Sequence, residues 1–287
     1  MIHLAKPVIL TADSTCDLSP ELIEKYQVHI LPLSVLLGEQ NYHDGVDLVP
    51  DEIYRVYREQ KILPKTAAVN TAEYLDFFTP FLEQGCEVVH ISLSSALSAC
   101  YNNCRLAALQ QEGIYPIDSR NLSTGSGLLV IAAAERIAAG LPAEQVAAEV
   151  GALVEKVEAS FVIDSLEFLH KGGRCSALAM MGANLLQLKP CIEVDSAVGG
   201  MGVGKKYRGA FDKVLVQYVK ERLSGRTDLC TNRIFITHAG VSEDRIAAVR
   251  AEVEGLGLFD EVLVTRAGCT VSSHCGQNTL GVLFLKK

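Results

Sequence analysis

The sequence lacks the features that would place a protein in a membrane or on nucleic acid. Its most apolar run, residues 128–134, is much shorter than the roughly 20 residues that cross a bilayer. The N-terminus has no long apolar centre of the kind found in signal peptides. Lys and Arg number 26 against 34 Asp and Glu, a net charge of −8, whereas nucleic-acid binders present a basic surface. We therefore expect a cytoplasmic protein with no membrane span and no nucleic-acid partner.

The chain also lacks paired cysteines. Its nine cysteines are an odd number and none stands in a Cys-x-x-Cys pair, a pattern that disfavours a secreted disulfide scaffold. Cys100 and Cys104 would share one face of a predicted helix, but no second pair has the spacing of a zinc site. We expect most of these thiols to be buried as small hydrophobic side chains and predict no metal site.

Two common active-site motifs are missing as well. There is no Gly-x-Ser-x-Gly nucleophile elbow and no Gly-x-x-x-x-Gly-Lys-[Ser/Thr] phosphate loop. The glycine-rich stretch at 199–204 matches neither that loop nor a dinucleotide fingerprint, and we expect it to form a tight turn. These absences disfavour a nucleotide-binding or sugar-phosphate-binding protein.

The order of apolar segments predicts an α/β fold. Of the 287 residues 49% are hydrophobic, enough for a sizeable core in one or two domains. Strand-like and helix-like segments alternate from the start, which is typical of a largely parallel sheet. Expected strands cover residues 7–12, 29–37, 87–91 and 114–117; expected helices cover 51–60, 71–83, 124–139 and 142–158, and two more begin at residues 20 and 98.

The alternation changes near residue 160. Expected strands cover residues 161–163, 191–194, 206–208, 234–237, 262–265 and 280–285, and expected helices cover 210–223 and 243–253. A glycine-containing loop at 170–174 is followed by a methionine-containing helix that ends at residue 186. We place a domain boundary near residue 158. The expected domains are an N-terminal three-layer α/β/α domain with a mainly parallel sheet (1–158) and a C-terminal α/β domain with a mixed sheet (159–287).

Three serines fall within five residues where a predicted strand meets a predicted helix. Ser94, Ser95 and Ser98 would lie at the helix N-terminus, where unpaired N–H groups and the helix dipole stabilise an anionic oxygen by roughly 0.3–1 kcal/mol. That arrangement predicts a cradle for a carboxylate or phosphate. The alternative is that one serine simply caps the helix.

Polar side chains also follow the other predicted strands. Asp13, Ser14 and Thr15 follow the first strand, and Asp118 and Ser119 follow the strand at 114–117. Ligands of open α/β sheets bind beyond the carboxyl ends of the strands, so we expect these groups to converge with the serines. The alternative for the two aspartates is that they stabilise turns.

An ordered set of short motifs resembles the DegV family over essentially the whole chain. Each motif is weak by itself, and the specificity comes from their order and spacing. The motifs are Thr-Ala-Asp-Ser-Thr-Cys-Asp-Leu at 11–18, Ile-Leu-Pro-Leu at 30–33, Lys-Thr at 65–66, Leu-Ser-Ser-Ala-Leu-Ser-Ala-Cys-Tyr at 93–101, Leu-His-Lys-Gly-Gly-Arg at 169–174 and Leu-Leu-Gln-Leu-Lys-Pro at 185–190.

The resemblance implies a two-domain cytosolic protein that binds one long-chain, palmitate-like fatty acid between its domains, with no other cofactor. In some members the acid is presented to a fatty acid kinase. The resemblance assigns the carboxylate contacts to Thr66, to Ser95 or Ser98, and to His274, and it makes Lys171 and Arg174 candidate kinase contacts. This sequence departs from the family at 67–69, 99–100 and 275–278, so the headgroup preference is open.

A fatty acid requires an apolar tunnel behind the polar mouth. Burying about fourteen methylenes at about 0.8 kcal/mol each is worth roughly 11 kcal/mol before entropic costs, so the tail supplies affinity and the hydroxyls orientation. Candidate wall residues, which are equally typical of any core, are Phe161, Ile163, Met180, Met181, Leu185 and Leu186.

An enzyme is the second hypothesis. A serine- or cysteine-dependent acyl hydrolase or transferase would use Ser95 or Cys275 as nucleophile and His274 as base. Such pairs are seldom adjacent in sequence, as His274 and Cys275 are. The sequence therefore favours a binding protein and leaves the enzyme open.

Overall fold

Strands and helices alternate along the described parts of the chain, residues 6–175 and 188–287 of this computed structural model. The strands are β1 (Val8–Asp13), β2 (His29–Leu31), β3 (Ser34–Leu37), β4 (Gln40–His43), β5 (Lys65–Ala67), β6 (Glu87–Ser92), β7 (Ile114–Asp118), β8 (Val157–Ile163), β9 (Leu188–Asp195), β10 (Gly200–Arg208), β11 (Leu229–Ala239), β12 (Glu261–Arg266) and β13 (Thr279–Lys286). The helices are α1 (Pro20–Lys25), α2 (Pro50–Gln60), α3 (Thr71–Glu83), α4 (Cys100–Gln110), α5 (Thr124–Ala138), α6 (Ala143–Gly151), α7 (Glu167–Gly172), α8 (Phe211–Leu223), α9 (Glu243–Gly255) and α10 (Cys269–Cys275). The predicted α/β fold is confirmed.

A parallel sheet organises the N-terminal part. Its strand order is β2-β1-β6-β7, and each neighbouring pair is parallel. The carboxyl ends of these strands therefore lie along one edge, where the predicted polar residues follow them. Helices α1, α5 and α6 cover one face, and α3 and α4 cover the other, which gives the three expected layers.

Helix α5 is buried all round because it lies between two sheets. Residues 124–134 are all buried, and this helix shares a core with Phe235 and Leu283 of the C-terminal sheet. Small residues in α5 allow neighbouring backbone to approach this helix closely. At Gly127 a Cβ atom would lie only 2.8 Å from the carbonyl oxygen of Cys16. The two halves of the protein thus share a continuous apolar core.

The C-terminal sheet is mixed, as expected. Its strand order is β10-β9-β8-β13-β11-β12; β11 and β12 are parallel, and the other neighbours are antiparallel. Helices α8 and α9 pack on its outer face, and its inner face is turned towards α5. No helix within the described ranges is both long and apolar enough to cross a bilayer.

The single strand expected at 29–37 is wrong. β2 ends at Leu31 and pairs with β1, whereas β3 begins at Ser34 and joins an antiparallel sheet of order β4-β3-β5. Pro32 has no N–H to continue a ladder, and the N–H of Leu33 donates to Ser14 Oγ at 3.1 Å. The break matters for the site because it separates β3 from the parallel sheet, and β3 pairs with β5, the strand that carries Thr66.

Three other expectations also need correction. The helix expected to end at residue 158 ends at Gly151, and β8 begins at Val157. The glycine-rich stretch at 199–204 runs largely along β10, and only Gly199, with φ of 78°, belongs to the turn at 196–199. The expected loop at 170–174 is partly helical, since α7 extends to Gly172. The predicted methionine-containing helix lies outside the described residues.

Two buried aspartate side chains connect the N-terminal part to the start of α10. Asp44 accepts hydrogen bonds from the backbone N–H groups of Cys269 (2.6 Å) and Thr270 (3.1 Å). Asp17 accepts one from the N–H of Gly268 at 2.8 Å. These acceptors satisfy N–H groups that a helix cannot satisfy internally. A Cβ atom at residue 268 would lie 2.9 Å from Asp44 Oδ1, so glycine permits the contact.

Stability should fall with rising pH because of Asp17. Burial raises its pKa from 3.8 to about 8, although Ser123 and Gly268 donate to it. Between these values the folded protein holds a proton that the unfolded chain has released, so the free energy of unfolding falls as the pH rises. The effect is at most about 1.4 kcal/mol per pH unit. Urea unfolding of wild type and Asp17→Asn across this range should give a steeper fall for wild type. Parallel profiles would contradict the assignment.

Candidate functional site

A cavity of about 250 Å³ lies where the N-terminal and C-terminal parts meet. Its wall is mainly apolar, and a smaller set of polar side chains lies among the lining residues. The apolar lining residues are Leu33, Ala67, Ala68, Leu93, Leu97, Ala99, Leu122, Leu169, Met201, Val271 and Cys275; the polar ones are Thr15, Thr66, Ser98, Arg174, Thr270 and His274. An apolar cleft with a few polar groups is the usual form of a small-molecule site.

Thr66 and His274 meet in this cavity, although 208 residues separate them. The hydroxyl oxygen of Thr66 lies 2.8 Å from Nε2 of His274, and both side chains are partly buried. Thr66 is on the edge strand β5, and His274 is on the last turn of α10. The helices expected from the sequence do not include this one. Its boundaries are marked by Gly268 before it and Gly276, with φ of 76°, after it.

The imidazole of His274 is neutral at pH 7. Burial and, to a smaller extent, the positive charge of Arg174 together lower its pKa from 6.5 to about 4. A neutral imidazole offers one donor and one acceptor. Nε2 contacts Thr66, whereas the buried Nδ1 has no hydrogen-bond partner among the described residues. The free ring nitrogen lies against Gly172, where any Cβ atom would overlap it.

Ser98 is the one serine of the 94–98 stretch that lines the cavity. Its hydroxyl accepts a hydrogen bond from the N–H of Cys100 at 3.3 Å and donates to the sulfur of Cys100 at 3.1 Å. The first contact belongs to the turn before α4, whose N-cap is Ala99 and which has no side-chain capping bond, so Ser98 is not the N-cap. The second is weak, because sulfur is a poor acceptor. Ser98 can therefore turn its proton towards a ligand at little cost.

Ser94 and Ser95 are engaged elsewhere and do not line the cavity. The hydroxyl of Ser94 donates to the carbonyl oxygen of Gly199 at 2.8 Å. Ser95 donates to Asp118 from both its hydroxyl (2.5 Å) and its backbone N–H (3.1 Å). The expected three-serine anion cradle is thus corrected to a turn that these bonds hold in place.

Asp13 and Ser14 have supporting contacts of the same kind and are also absent from the cavity lining. Buried Asp13 accepts hydrogen bonds from Tyr74 Oη (2.8 Å) and the N–H of Leu93 (2.8 Å), and its Oδ1 lies 3.1 Å from His90 Nε2. Ser14 donates to Asp44 at 3.0 Å. These contacts fix the loops after β1 and β6, so the two residues shape the cavity without facing it.

The two candidate partner residues lie on and beside α7. Arg174 is exposed at the cavity rim and donates to the carbonyl oxygen of Gly172 at 2.7 Å. Lys171 is exposed on the last turn of the helix. Both cations therefore lie at the surface within three residues of Gly172, the residue that contacts His274.

The residues predicted to form the apolar wall do not line the main cavity where the structure describes them. Ile163 is fully buried in the core and does not line the cavity. Phe161 lines a neighbouring space of about 30 Å³, which shares Leu122, Val271 and Cys275 with the main cavity. Met180, Met181, Leu185 and Leu186 lie outside the described residues. The observed wall comes largely from loops between distant strands, for which the sequence carries no local signal.

The geometry does not support a serine or cysteine nucleophile. Burial raises the pKa of Cys275 to about 12, so its thiol is protonated at neutral pH. Ser95 is hydrogen-bonded to a carboxylate and to no histidine. Among the described residues, no group of three or more His, Cys, Asp and Glu side chains could hold a metal ion. The cavity combines hydrogen-bonding groups with an apolar wall, and these properties favour binding.

The sequence profile of a family described as "Uncharacterised protein, DegV family" matches residues 7–287. The chain belongs to the DegV family. A DegV domain-containing protein of Clostridium acetobutylicum is 30% identical over 285 residues, which cover 97% of this chain and 98% of that protein.

Solved DegV structures share the fold. A fatty-acid-binding DegV family protein from Thermus thermophilus superposes with a TM-score of 0.87 at 30% identity, covering 98% of this chain and 100% of that one. A stearic-acid-binding protein from Eubacterium ventriosum gives 0.82 at 28% identity, with 97% and 98% covered. DegV of Bacillus subtilis, a fatty acid binding protein, gives 0.84 at 25% identity, with 99% and 100% covered.

Gly172→Ala should displace the His274 ring. The added methyl group would overlap Nδ1 in a packed region, and overpacking of this kind costs about 1–3 kcal/mol. Thermal unfolding should show the loss of stability, and the histidine signals in NMR spectra should shift. Gly202→Ala is the matched control, because a Cβ atom there meets nothing within 4 Å. Equal stability of the two variants would contradict the predicted contact.

Arg174→Gln should raise the pKa of His274 only in part. Removing the cation relieves one cause of the low pKa, but burial, the larger cause, persists. An NMR titration should therefore give a value above about 4 and still below 6.5. Lys171→Gln is the control, since Lys171 is not among the causes. A pKa unchanged by Arg174→Gln would contradict the electrostatic link.

Proposed function

We propose that this DegV protein binds a long-chain fatty acid, with the carboxylate at Thr66, Ser98 and His274 and the acyl chain along the apolar wall. The observation that carries the proposal is the pairing of Thr66 with His274 inside an otherwise apolar cavity. The fatty-acid-binding relatives from Thermus thermophilus and Bacillus subtilis support it. The protein acts as a carrier and needs no catalytic group of its own.

The apolar wall supplies most of the affinity. About fourteen buried methylenes contribute roughly 11 kcal/mol before entropic costs. A hydrogen bond to a charged group adds about 1.5–3 kcal/mol. Polar groups therefore select the carboxylate and fix its direction, whereas the wall holds the molecule. This division between apolar and polar contacts suits a lipid, which has one polar end and a long apolar chain.

Residues from both sides of position 158 line the cavity. Leu93 and Leu122 come from the N-terminal side, and Leu169 and Val271 from the C-terminal side. We propose that the acid lies between two domains, residues 1–158 and 159–287. The carboxylate end then faces the rim where Arg174 is exposed.

Presentation of the acid to a partner kinase is a further part of the proposal. Lys171 and Arg174 are exposed cations close to the carboxylate site, and they suit contact with an acidic surface of the partner. A kinase must reach the carboxylate oxygen, and the rim is the face from which it would do so. We propose that the acid is presented to the kinase in the cytoplasm. A double charge-removal variant, Lys171→Gln with Arg174→Gln, should bind the acid but couple poorly to a kinase.

Lipid extraction tests the proposal without any assumption about the ligand. Protein purified without detergent should release a long-chain acid in stoichiometric amount, measured by mass spectrometry. If no lipid is released, the protein should instead take up added palmitate or oleate. Absence of both would reject the proposed function.

Thr66→Val should weaken palmitate binding while preserving the shape of the cavity. Loss of a hydrogen bond to a carboxylate corresponds to about 1.5–3 kcal/mol, or roughly a 10- to 100-fold rise in Kd. Methyl palmitate, which carries no charge, should lose much less. Thr79→Val is the control, because its hydroxyl donates to Leu75 within α3. Equal losses for acid and ester would place the carboxylate elsewhere.

A further inference from the structure

A second, smaller space lies directly behind the main cavity. It measures about 30 Å³ and is here called the inner hollow. Three residues line both spaces: Leu122, which follows β7, and Val271 and Cys275, which lie one turn apart on α10. A single layer of side chains therefore separates the two spaces. Thr66 and His274 line only the main cavity, so the inner hollow belongs to the apolar side of the site.

The inner face of the C-terminal sheet forms the floor of the inner hollow. Phe161, Gly281 and Thr237 form a cross-strand row on β8, β13 and β11, and all three line the hollow. Leu283 and Phe235, two residues away on the same strands, share the core of α5. Because alternate strand residues point to opposite faces, the row lies on the face turned towards α5. Gly281, at the centre of the row, contributes no side chain and leaves room there.

The hydroxyl groups that line the inner hollow are already hydrogen-bonded within the protein. Ser123 donates to an aspartate at 2.6 Å, and Thr279 donates to a backbone carbonyl at 3.0 Å. Thr237 Oγ1 lies within 3.0 Å of two other threonine hydroxyls. His238 follows Thr237 on β11, so its side chain points to the opposite face of the sheet. A hollow of this kind stays dry and accepts an apolar guest.

The size of the inner hollow suits the end of an acyl chain. A guest as large as a water molecule needs about 10–15 Å³, so about 30 Å³ has room for roughly two groups of that size. Empty apolar space forfeits the dispersion contacts that a close-packed core otherwise makes. A terminal methyl group would restore these contacts. With the carboxylate at Thr66 and His274, the methyl end is the part of the ligand that can extend this far.

We propose that the methyl end of the acyl chain enters the inner hollow past Leu122, Val271 and Cys275, and that the sheet behind it sets the longest chain that binds with full affinity. This inference rests on the proposed fatty-acid binding and adds the chain length. Each further methylene that finds a buried position tightens binding about fourfold. Once the chain reaches the sheet, additional carbons have no space to fill and gain no affinity.

The test measures the Kd of straight-chain saturated acids from decanoate to eicosanoate by isothermal calorimetry. In wild type the Kd should fall about fourfold for each added methylene until the hollow is filled, and then level off. Ala239 lines the hollow and lies two residues after Thr237 on the same face of β11. Ala239→Val should bring the levelling point about two carbons earlier, because valine adds two carbon atoms to the hollow. Phe161→Leu enlarges the hollow and should move that point to longer chains.

Ala107→Val and Phe78→Leu are the matched controls. Both residues are fully buried and belong to the same apolar cluster as Ala239 and Phe161, but they line neither space. These variants should keep the levelling point of wild type. Thermal unfolding of the unloaded protein gives a second measure. Ala239→Val fills empty space and should not lower the Tm, whereas Ala107→Val overpacks a filled region and should lower it.

Three outcomes would overturn the inference. It fails if neither Ala239→Val nor Phe161→Leu moves the levelling point, or if the control variants move it equally. It also fails if Ala239→Val weakens the binding of decanoate as strongly as that of the longer acids. In each case fatty acids still bind, so the proposed function stands. If wild type binds none of the acids, the proposed function itself is rejected.

Discussion

The short helix α10 is held by two aspartate side chains from the other half of the protein, and the site depends on that contact. A helix of seven residues is too short to be stable alone. Asp44 and Asp17 accept the N–H groups of its first residues, and Gly268 leaves room for them. The same helix carries His274 to Thr66. The capping bonds therefore set the distance between the two groups that define the polar end of the cavity.

Burial and charge act together on His274. The ring is neutral because it is buried and because Arg174 lies nearby. An incoming carboxylate would be attracted by that cation, while the imidazole itself stays uncharged. The neutral ring also avoids a large desolvation penalty in the empty cavity. Apolar contact then dominates the binding energy, and the polar groups define the direction of the ligand.

Local signals in the sequence were sufficient for much of the fold. Helix α3 covers residues 71–83 as expected, because Asn70 and Glu73 form a capping box at its start. Helix α1 begins after Ser19, whose side chain accepts from the N–H of Leu22. The parallel sheet likewise follows from alternating strands and helices. Each of these features is determined by residues that are close in sequence.

The missed features depend on distant partners. Helix α10 was not predicted because its N-terminal acceptor, Asp44, lies 225 residues away from Cys269. Ser95 was expected to contact a ligand, but its hydroxyl donates a hydrogen bond to Asp118, which lies 23 residues further along the chain. Thr66 and His274 were named from the family resemblance, and their contact follows from the fold.

The most direct test of the account is a crystal structure of the protein loaded with hexadecanoic acid. The account predicts a carboxylate oxygen within about 3.2 Å of Thr66 Oγ1 or His274 Nε2, with the acyl chain along Leu93, Leu122 and Val271. A carboxylate outside this cavity, or an acid bound in the reverse direction, would contradict it.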